Sequence, residues 1–364
     1  HQEYGGRVTT KDGSGATYDH SSHVVGTVCA AGIDAAAKGM APAASVDSYD
    51  WNNDNSEMTA RGAALPDEAG MINISSHSYG INSGWVYTQT PVYTWYGSGT
   101  TAAGYEDHFG QYNTYARDID VLAYSLPYYL IFWAAGNDRS DNPATGNAVA
   151  LSPGGASVSY DPALHPPGDR TYKGGYDTVS YDGLGKNVLT VGALTDAVSG
   201  GLRSPGSALM TSFSSWGPTD DGRIKPDVVA NGYYLRSTSY AGDTAYSTMS
   251  GTSMATPSAA GSAQLLVHVF HTLFTNQVMR ASTLKALLIH TADDKGNAGP
   301  DYEYGWGLVN AQAAADLLAA YRSNAGTRRV VEDRVATSRT QVDVAFARDV
   351  RGHTHQRQPA LLAD

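Results

Sequence analysis

Residues 128–137 read Tyr128-Tyr129-Leu130-Ile131-Phe132-Trp133-Ala134-Ala135-Gly136-Asn137. An apolar run of strand length, without the alternation of a half-solvated strand, is what a parallel strand covered on both faces requires. The run breaks at a Gly-Asn pair, which is common turn chemistry. The strand therefore ends at the carboxyl edge of its sheet, where open α/β sheets bind their ligands. Outward from it, residues 43–49, 71–75 and 187–192 read as further strands. Helices are predicted over 56–69, with Ser56 as a cap, and over 105–124, 253–274, 281–292 and 310–321. Alternation of this type predicts the α/β class, a mostly parallel central sheet with helices on both faces. No internal repeat is found. Residues 81–104 and 139–181 read as long irregular loops, a length usually tied to function or mobility. Tyr93, Trp95 and Tyr96 either line a cleft or pack on their own loop.

Toward the C-terminus stands Gly251-Thr252-Ser253-Met254-Ala255-Thr256-Pro257, followed by Ser258-Ala259-Ala260-Gly261. A glycine turn delivers Ser253 to the start of a helix, and the small residues behind it let that helix approach a neighbour closely. Serine is a weak nucleophile at neutral pH and needs a base within reach and donors for the oxyanion. A helix N-terminus supplies free N–H groups and the positive end of a dipole. Pro257 is expected in the first turn, where a missing N–H is harmless. The heptad already points toward catalysis by itself, with an ordinary helix cap as the alternative, because Ser and Thr are favoured caps.

Its partners favour chemistry. Tyr18-Asp19-His20-Ser21-Ser22-His23 sets His20 at the mouth of another helix, with Asp19, Ser21 and Ser22 available as caps and an apolar run over 24–31 behind it. His20 is the candidate base and His23 a packing residue. A metal pair is disfavoured, because no HExxH pattern or suitably spaced third ligand follows. In this company Asn137 reads better as an amide donor for an oxyanion than as a turn residue.

The blocks around His20, Asn137 and Ser253, in this order, resemble the subtilisin-like serine proteases, the subtilases. Lys38-Gly39-Met40-Ala41-Pro42, Ser212-Phe213-Ser214-Ser215-Trp216-Gly217-Pro218, Lys225-Pro226-Asp227-Val228-Val229-Ala230 and Tyr304-Gly305-Trp306-Gly307 agree as well, and the likeness runs to about Arg322. The resemblance implies a subtilisin-like fold and a secreted serine endopeptidase acting on protein or peptide substrates. His20 would be the general base, Ser253 the nucleophile and Asn137 the oxyanion-hole side chain, assisted by the Ser253 N–H. Ser78, Tyr79 and Gly80 would pair with the peptide as an added β-strand, although the residues alone also suit a strand-to-turn junction. Ala134, Ala135 and Gly136 would form the primary specificity wall, and their small side chains imply an open, largely apolar slot. A transpeptidase would use the same acyl-enzyme.

One element departs from the pattern. The family carries its catalytic aspartate on an early strand, in an Asp-Gly or Asp-Ser/Thr-Gly turn a few dozen residues before the histidine. This chain opens His1-Gln2-Glu3-Tyr4-Gly5-Gly6-Arg7-Val8, with no apolar strand ahead of it. Asp12-Gly13 imitates the turn but lies only eight positions before His20 (20 − 12 = 8), and Asp19 adjoins the base, so no triad aspartate is assigned. The expectation is a chain that starts just downstream of that aspartate, with a truncated or non-catalytic peptide-binding homologue as the alternative. Loss of the orienting carboxylate costs roughly four orders of magnitude in rate in known serine proteases.

Composition fits this reading. The 364 residues are ample for a core, divided as residues 1–322 and an Arg-rich tail over 323–364 without lysine. In the tail, Gln341-Val342-Asp343-Val344-Ala345-Phe346 alternates like one strand; one strand does not fold alone, so it reads as the stub of a C-terminal β-domain or as a segment added to the main domain's edge. His353-Thr354-His355 reads as solvated tail. A net charge of −11 argues against a nucleic-acid partner, which calls for a basic face. Cys29 is alone, so no intrachain disulfide forms, and it reads as a small buried hydrophobe. No apolar run reaches the ~18 residues of a membrane span. No cofactor is expected in the chemistry. Residues 50–55, 137–142 and 293–297 are oxygen-rich enough for structural calcium, although turn chemistry accounts for them equally and none matches an EF-hand loop. Oligomeric state is not read from the sequence.

Overall fold

The computed structural model describes residues 1–12, 18–275 and 277–323. The strand expected at 341–346 and the histidines of the tail lie outside the described residues. In chain order the strands are β1 (Val8–Thr10), β2 (Val46–Ser48), β3 (Ile74–His77), β4 (Trp85–Tyr87), β5 (Tyr93–Trp95), β6 (Leu130–Ala134), β7 (Ala148–Ala150), β8 (Ser157–Ser159), β9 (Leu189–Leu194), β10 (Val198–Ser199), β11 (Leu202–Arg203), β12 (Val228–Asn231), β13 (Leu235–Thr238) and β14 (Tyr246–Met249). The α-helices are α1 (Asp19–Cys29), α2 (Asp54–Arg61), α3 (Thr114–Ser125), α4 (Thr252–Leu273), α5 (Ala281–His290) and α6 (Ala311–Ser323).

The run that opened the sequence reading is β6, at the centre of a parallel sheet ordered β12-β9-β6-β3. Successive side chains of a strand point to opposite faces, and both faces are covered. Leu130 and Phe132 join Leu189, Val191 and Val228 under Ala255, Ala259 and Leu266 of α4, Leu284 of α5 and Leu318 of α6. Ile131 and Trp133 join Met58 of α2 and Ile119 and Leu122 of α3 on the other face. Burying each such large apolar side chain contributes about 1.5–3 kcal/mol, so this doubly covered strand anchors the site at its end. The fold is the α/β arrangement expected, a parallel central sheet with helices on both faces.

Two further small sheets flank it. β1 and β2 pair in parallel, and β13 and β14 form an antiparallel hairpin that leads into Gly251. Among the described residues the outer edge of β3 carries no strand. The small-residue run of α4 permits the expected close approach: a Cβ on Gly261 would stand 2.7 Å from Met40 Cβ and 3.5 Å from the Val28 carbonyl of α1.

Several expectations are corrected. α2 ends at Arg61 instead of 69, because Gly62 caps it and Pro66 follows. α3 starts at Thr114 instead of 105, where Asn113 Oδ1 accepts the N–H groups of Tyr115 and Ala116. The α1 start has no side-chain cap, so Asp19, Ser21 and Ser22 do not serve as one. The two long loops are not irregular throughout: they combine into a second four-stranded sheet, β4-β5-β7-β8. Trp95 packs there against Trp85, at a ring separation of 5.2 Å, with Val149 and Tyr160, so it belongs to the loop's own core.

Pro257 is the sixth residue of α4 and lies beyond the first turn. Its missing N–H leaves the carbonyl of Ser253, four residues earlier, without its helical donor. The Ser78 hydroxyl takes that place, donating to Ser253 O at 2.8 Å. A proline that looked harmless therefore ties the end of β3 to the start of α4.

His77, at the end of β3, is buried and stacks on Trp133 with ring centroids 4.6 Å apart. Its ring nitrogens contact the hydroxyls of Tyr79 and Ser75 at 2.7 and 2.8 Å. Burial pushes its pKa down to about 4 from 6.5, against a smaller opposing pull from Asp54. The folded state keeps it neutral while the unfolded chain takes up a proton below about 6.5, so its contribution is complete above that pH and is lost as pH falls toward 4. In denaturant titrations, the midpoint of His77→Phe should fall less between pH 7 and pH 4.5 than that of the parent; equal falls would show that His77 does not titrate this way.

Candidate active site

The carboxyl ends of β3 and β6 and the N-terminus of α4 meet at one edge of the sheet. Ser78 follows β3 and Asn137 follows β6. Gly136, with φ +106°, makes the turn between strand and Asn137 in a conformation that side-chain-bearing residues rarely adopt, and a Cβ there would collide with Asp138 Oδ2.

Asn137 is oriented by the helix. The Thr252 N–H donates to its Oδ1 at 2.9 Å, and the Thr252 hydroxyl donates to the same oxygen at 3.1 Å. The Gly136 N–H in turn donates to Thr252 Oγ1 at 3.2 Å. A backbone N–H can only donate, so the atom facing it must be the amide oxygen. The Nδ2 donor is thereby turned away from Thr252, and a Cβ on Gly251 would stand 3.5 Å from it. The Ser253 N–H donates no hydrogen bond to protein among the described residues, as expected in the first turn of a helix. Two donors, one from a side chain and one from backbone, thus lie beside the candidate nucleophile. Ser253 Oγ itself donates to the Ser78 carbonyl at 3.2 Å.

The segment after β3 is held open from behind. Trp133 Nε1 donates to Tyr79 O at 2.9 Å, and the Tyr79 hydroxyl donates to Asp54 Oδ2 at 3.1 Å. Among the described residues the N–H groups of Tyr79 and Gly80 and the Gly80 carbonyl bond to no backbone. Such a strand of unused groups is what a docking peptide requires. Across from it, Ala134 is half-buried and Gly136 partly open, while the Ala135 methyl is buried with Ala116, Val179 and Leu184. Ala135 therefore offers the slot its backbone and gives its side chain to the core.

His20 sits in the first turn of α1 with an exposed ring and no hydrogen-bond partner among the described residues. Desolvation by the surrounding protein lowers its pKa, and no carboxylate opposes that shift. Asp19 acts on His23 instead, whose buried ring bonds the Leu235 carbonyl at 2.8 Å. Asp12 accepts the N–H of Asp50, two residues beyond β2. The structure thus joins Ser253, Asn137 and Ser78, and does not hydrogen-bond His20 to any of them. Cys29 is fully buried, with its thiol pKa raised by burial, in line with an inert packing role.

The sequence reading missed the holding residues. Thr252 was visible beside Ser253 but carried no signal of its own, and Trp133 was read only as apolar. Of the oxygen-rich loops, Asp50 Oδ1 caps Asn52 N–H, Asp294 Oδ2 accepts Gly299 N–H, and Asp293 pairs with Arg203 at 2.6 Å. Near Asn137, burial pushes both Asp138 and Asp141 up to about 7, and the Ser215 hydroxyl donates to Asp138 at 2.9 Å. Among the described residues, donor atoms of Glu106, Asp107 and His108 converge to within 4.8 Å. No helix among them is long and apolar enough to cross a membrane.

A model of the subtilase family matches residues 3–307. Over 205 residues the chain is 31% identical to serine protease AprX of Bacillus subtilis (strain 168), covering 48% of this chain and 43% of AprX. It is 31% identical over 148 residues to subtilisin DY of Bacillus licheniformis, covering 41% of this chain and 44% of that protein. With a C5a peptidase of Streptococcus pyogenes the match is 34% over 129 residues, 33% of this chain and 11% of the peptidase. The matches span less than half the length of each of these relatives.

Removing the Ser78 hydroxyl strands the Ser253 carbonyl, so Ser78→Ala should lose about 1–2 kcal/mol of stability in urea unfolding. Adding Pro257→Ala restores an N–H within the helix and should recover part of that loss. No recovery would mean that the proline is not what leaves the carbonyl in need of a donor.

Proposed function

This chain belongs to the subtilase family, and from that premise we propose that it is a serine endopeptidase in which Ser253 attacks the peptide carbonyl. The Ser253 Oγ–C bond forms as the hydroxyl proton passes to His20. Negative charge on the carbonyl oxygen meets Asn137 Nδ2 and the Ser253 N–H. The C–N bond then breaks, His20 gives its proton to the departing amine, and water releases the acyl group by the same steps in reverse order. The observation that carries this reading is the locked amide: Asn137 Oδ1 is held by Thr252 at 2.9 Å, which leaves Nδ2 as a donor that needs no reorganisation.

The substrate would lie as an extended strand along Ser78, Tyr79 and Gly80, with one side chain entering the slot bounded by Ala134, Ala135 and Gly136. The acid partner of His20 is not among the described residues. Among the described residues the outer edge of β3 carries no strand, and a carboxylate on a strand added there is this reading's source of the third group. An extracellular setting is proposed on family membership alone. The chemistry draws on no cofactor, and structural calcium is kept as a proposal for a chelation test: EDTA should lower the melting temperature, and an unchanged value would remove it. The alternative of a peptide-binding protein without catalysis is favoured by one observation, the Ser253 hydroxyl turned onto Ser78 O instead of a histidine.

Cleavage assays on peptides separate the two readings. Ser253→Ala should abolish hydrolysis with unfolding behaviour retained; full activity in the variant would remove Ser253 as nucleophile. Asn137→Leu should lower kcat by roughly two to three orders of magnitude, a size carried over from oxyanion-donor removal in a subtilisin, with KM near the parent's. An unchanged kcat would take Asn137 out of the oxyanion hole.

A further inference from the structure

Between the two walls of the slot lies a short 3-10 turn, Tyr181–Leu184. Gly183 adjoins the β6 wall, where a Cβ on it would stand 3.5 Å from the Ala134 carbonyl. Asp182 adjoins the other wall: its Oδ2 accepts the Ile81 N–H at 2.7 Å. The exposed Gly80 lies directly over this carboxylate, and a Cβ on Gly80 would come within 3.2 Å of Oδ2. The turn therefore forms the floor of the slot, and the missing side chain at position 80 leaves the carboxylate approachable from the peptide side.

Asp182 is only 5% exposed, and among the described residues no Lys, Arg or His forms an ion pair with it. The donors to it are neutral, the Ile81 N–H, its own backbone N–H and the Ser180 hydroxyl at 3.5 Å, while Asp54 adds further negative charge. A carboxylate taken out of water without a cation is costly, and burial accordingly pushes the Asp182 pKa up to about 6. Asp227, by contrast, is buried with Lys225 at 2.7 Å and Lys285 at 3.0 Å. The floor of the slot is thus a buried acid without the compensation the same fold provides elsewhere.

We propose that Asp182 selects a basic side chain, lysine or arginine, in the substrate residue whose carbonyl Ser253 attacks. The incoming cation replaces the missing counter-charge, and the small residues of the walls, Gly80, Ala134 and Gly136, accommodate its aliphatic stem. This changes the expectation of a largely apolar slot: its sides are apolar, but its floor is acidic. The inference rests on the cleft reading given above.

Two fluorescent peptide amides, identical except for a C-terminal lysine or norleucine, test it by anisotropy titration against the parent and Asp182→Asn. Norleucine keeps the stem and removes the ammonium. Asparagine keeps an acceptor for the Ile81 N–H and removes the charge. The parent should bind the lysine peptide at least about tenfold more tightly, the size expected of a charge-assisted contact. In Asp182→Asn that preference should disappear, with norleucine affinity within about twofold of the parent's; structural damage would weaken both peptides instead. Equal binding of the two peptides by the parent, or a preference surviving in the variant, would overturn the role of Asp182 and leave the cleft reading intact. Failure of both peptides to bind the parent would overturn the cleft reading, and this inference with it.

Discussion

Asn137 Oδ1 accepting the Thr252 N–H joins the carboxyl end of the central strand to the N-terminus of the longest helix. Everything at the site is placed relative to that contact. It fixes which face of the amide carries the free donor, and it holds that donor next to the orphan N–H of Ser253. It also fixes where α4 begins, and so where the Ser253 hydroxyl stands. The strand end is rigid because β6 is buried on both faces, and the helix start is rigid because α4 covers the sheet through Ala255, Ala259 and Ala263. Preorganised donors act on developing charge without a reorganisation penalty only when both ends of such a contact are fixed.

A second tie runs from β3. Ser78 and Ser253 exchange two hydrogen bonds, hydroxyl to carbonyl in each direction, at 2.8 and 3.2 Å. One of these follows from Pro257, whose ring nitrogen cannot serve the helix. Behind Ser78, the chain is pinned through Tyr79 to Trp133 and Asp54. Among the described residues the remaining backbone groups of this segment are left without backbone partners, while its side chains and one carbonyl are held from the core side. On the proposed reading, binding and catalysis would draw on the same buried layer, which includes the neutral, stacked His77.

Much of this was legible in the sequence, for local reasons. The run 128–137 reads as a doubly buried strand from its length, its apolar content and the Gly-Asn break, and the heptad at Ser253 reads as a helix start. What stayed hidden depends on pairing between distant residues. Tyr93 pairs with Val149 across 56 positions (149 − 93 = 56), so no window along the chain reveals the second sheet. The true start of α3 was obscured because Tyr105 to Gln111 carries enough apolar residues to imitate helix, while the cap at Asn113 decides it. Asp182 gave no signal because an acid in a Gly-rich turn is ordinary; only the approach of Gly80 to its carboxylate and of the Ala134 carbonyl to the neighbouring Gly183 sets this turn between the segments that follow β3 and end β6. Among the described residues no carboxylate acts on His20.

The central claim is that Ser253, beside its two donors, is a nucleophile. Intact-mass analysis of the folded protein after treatment with a fluorophosphonate, followed by peptide mapping, tests it most directly. The account predicts one adduct, on the peptide containing Ser253, absent from Ser253→Ala. No adduct on folded protein, or an adduct mapped to another serine such as Ser78, would contradict it.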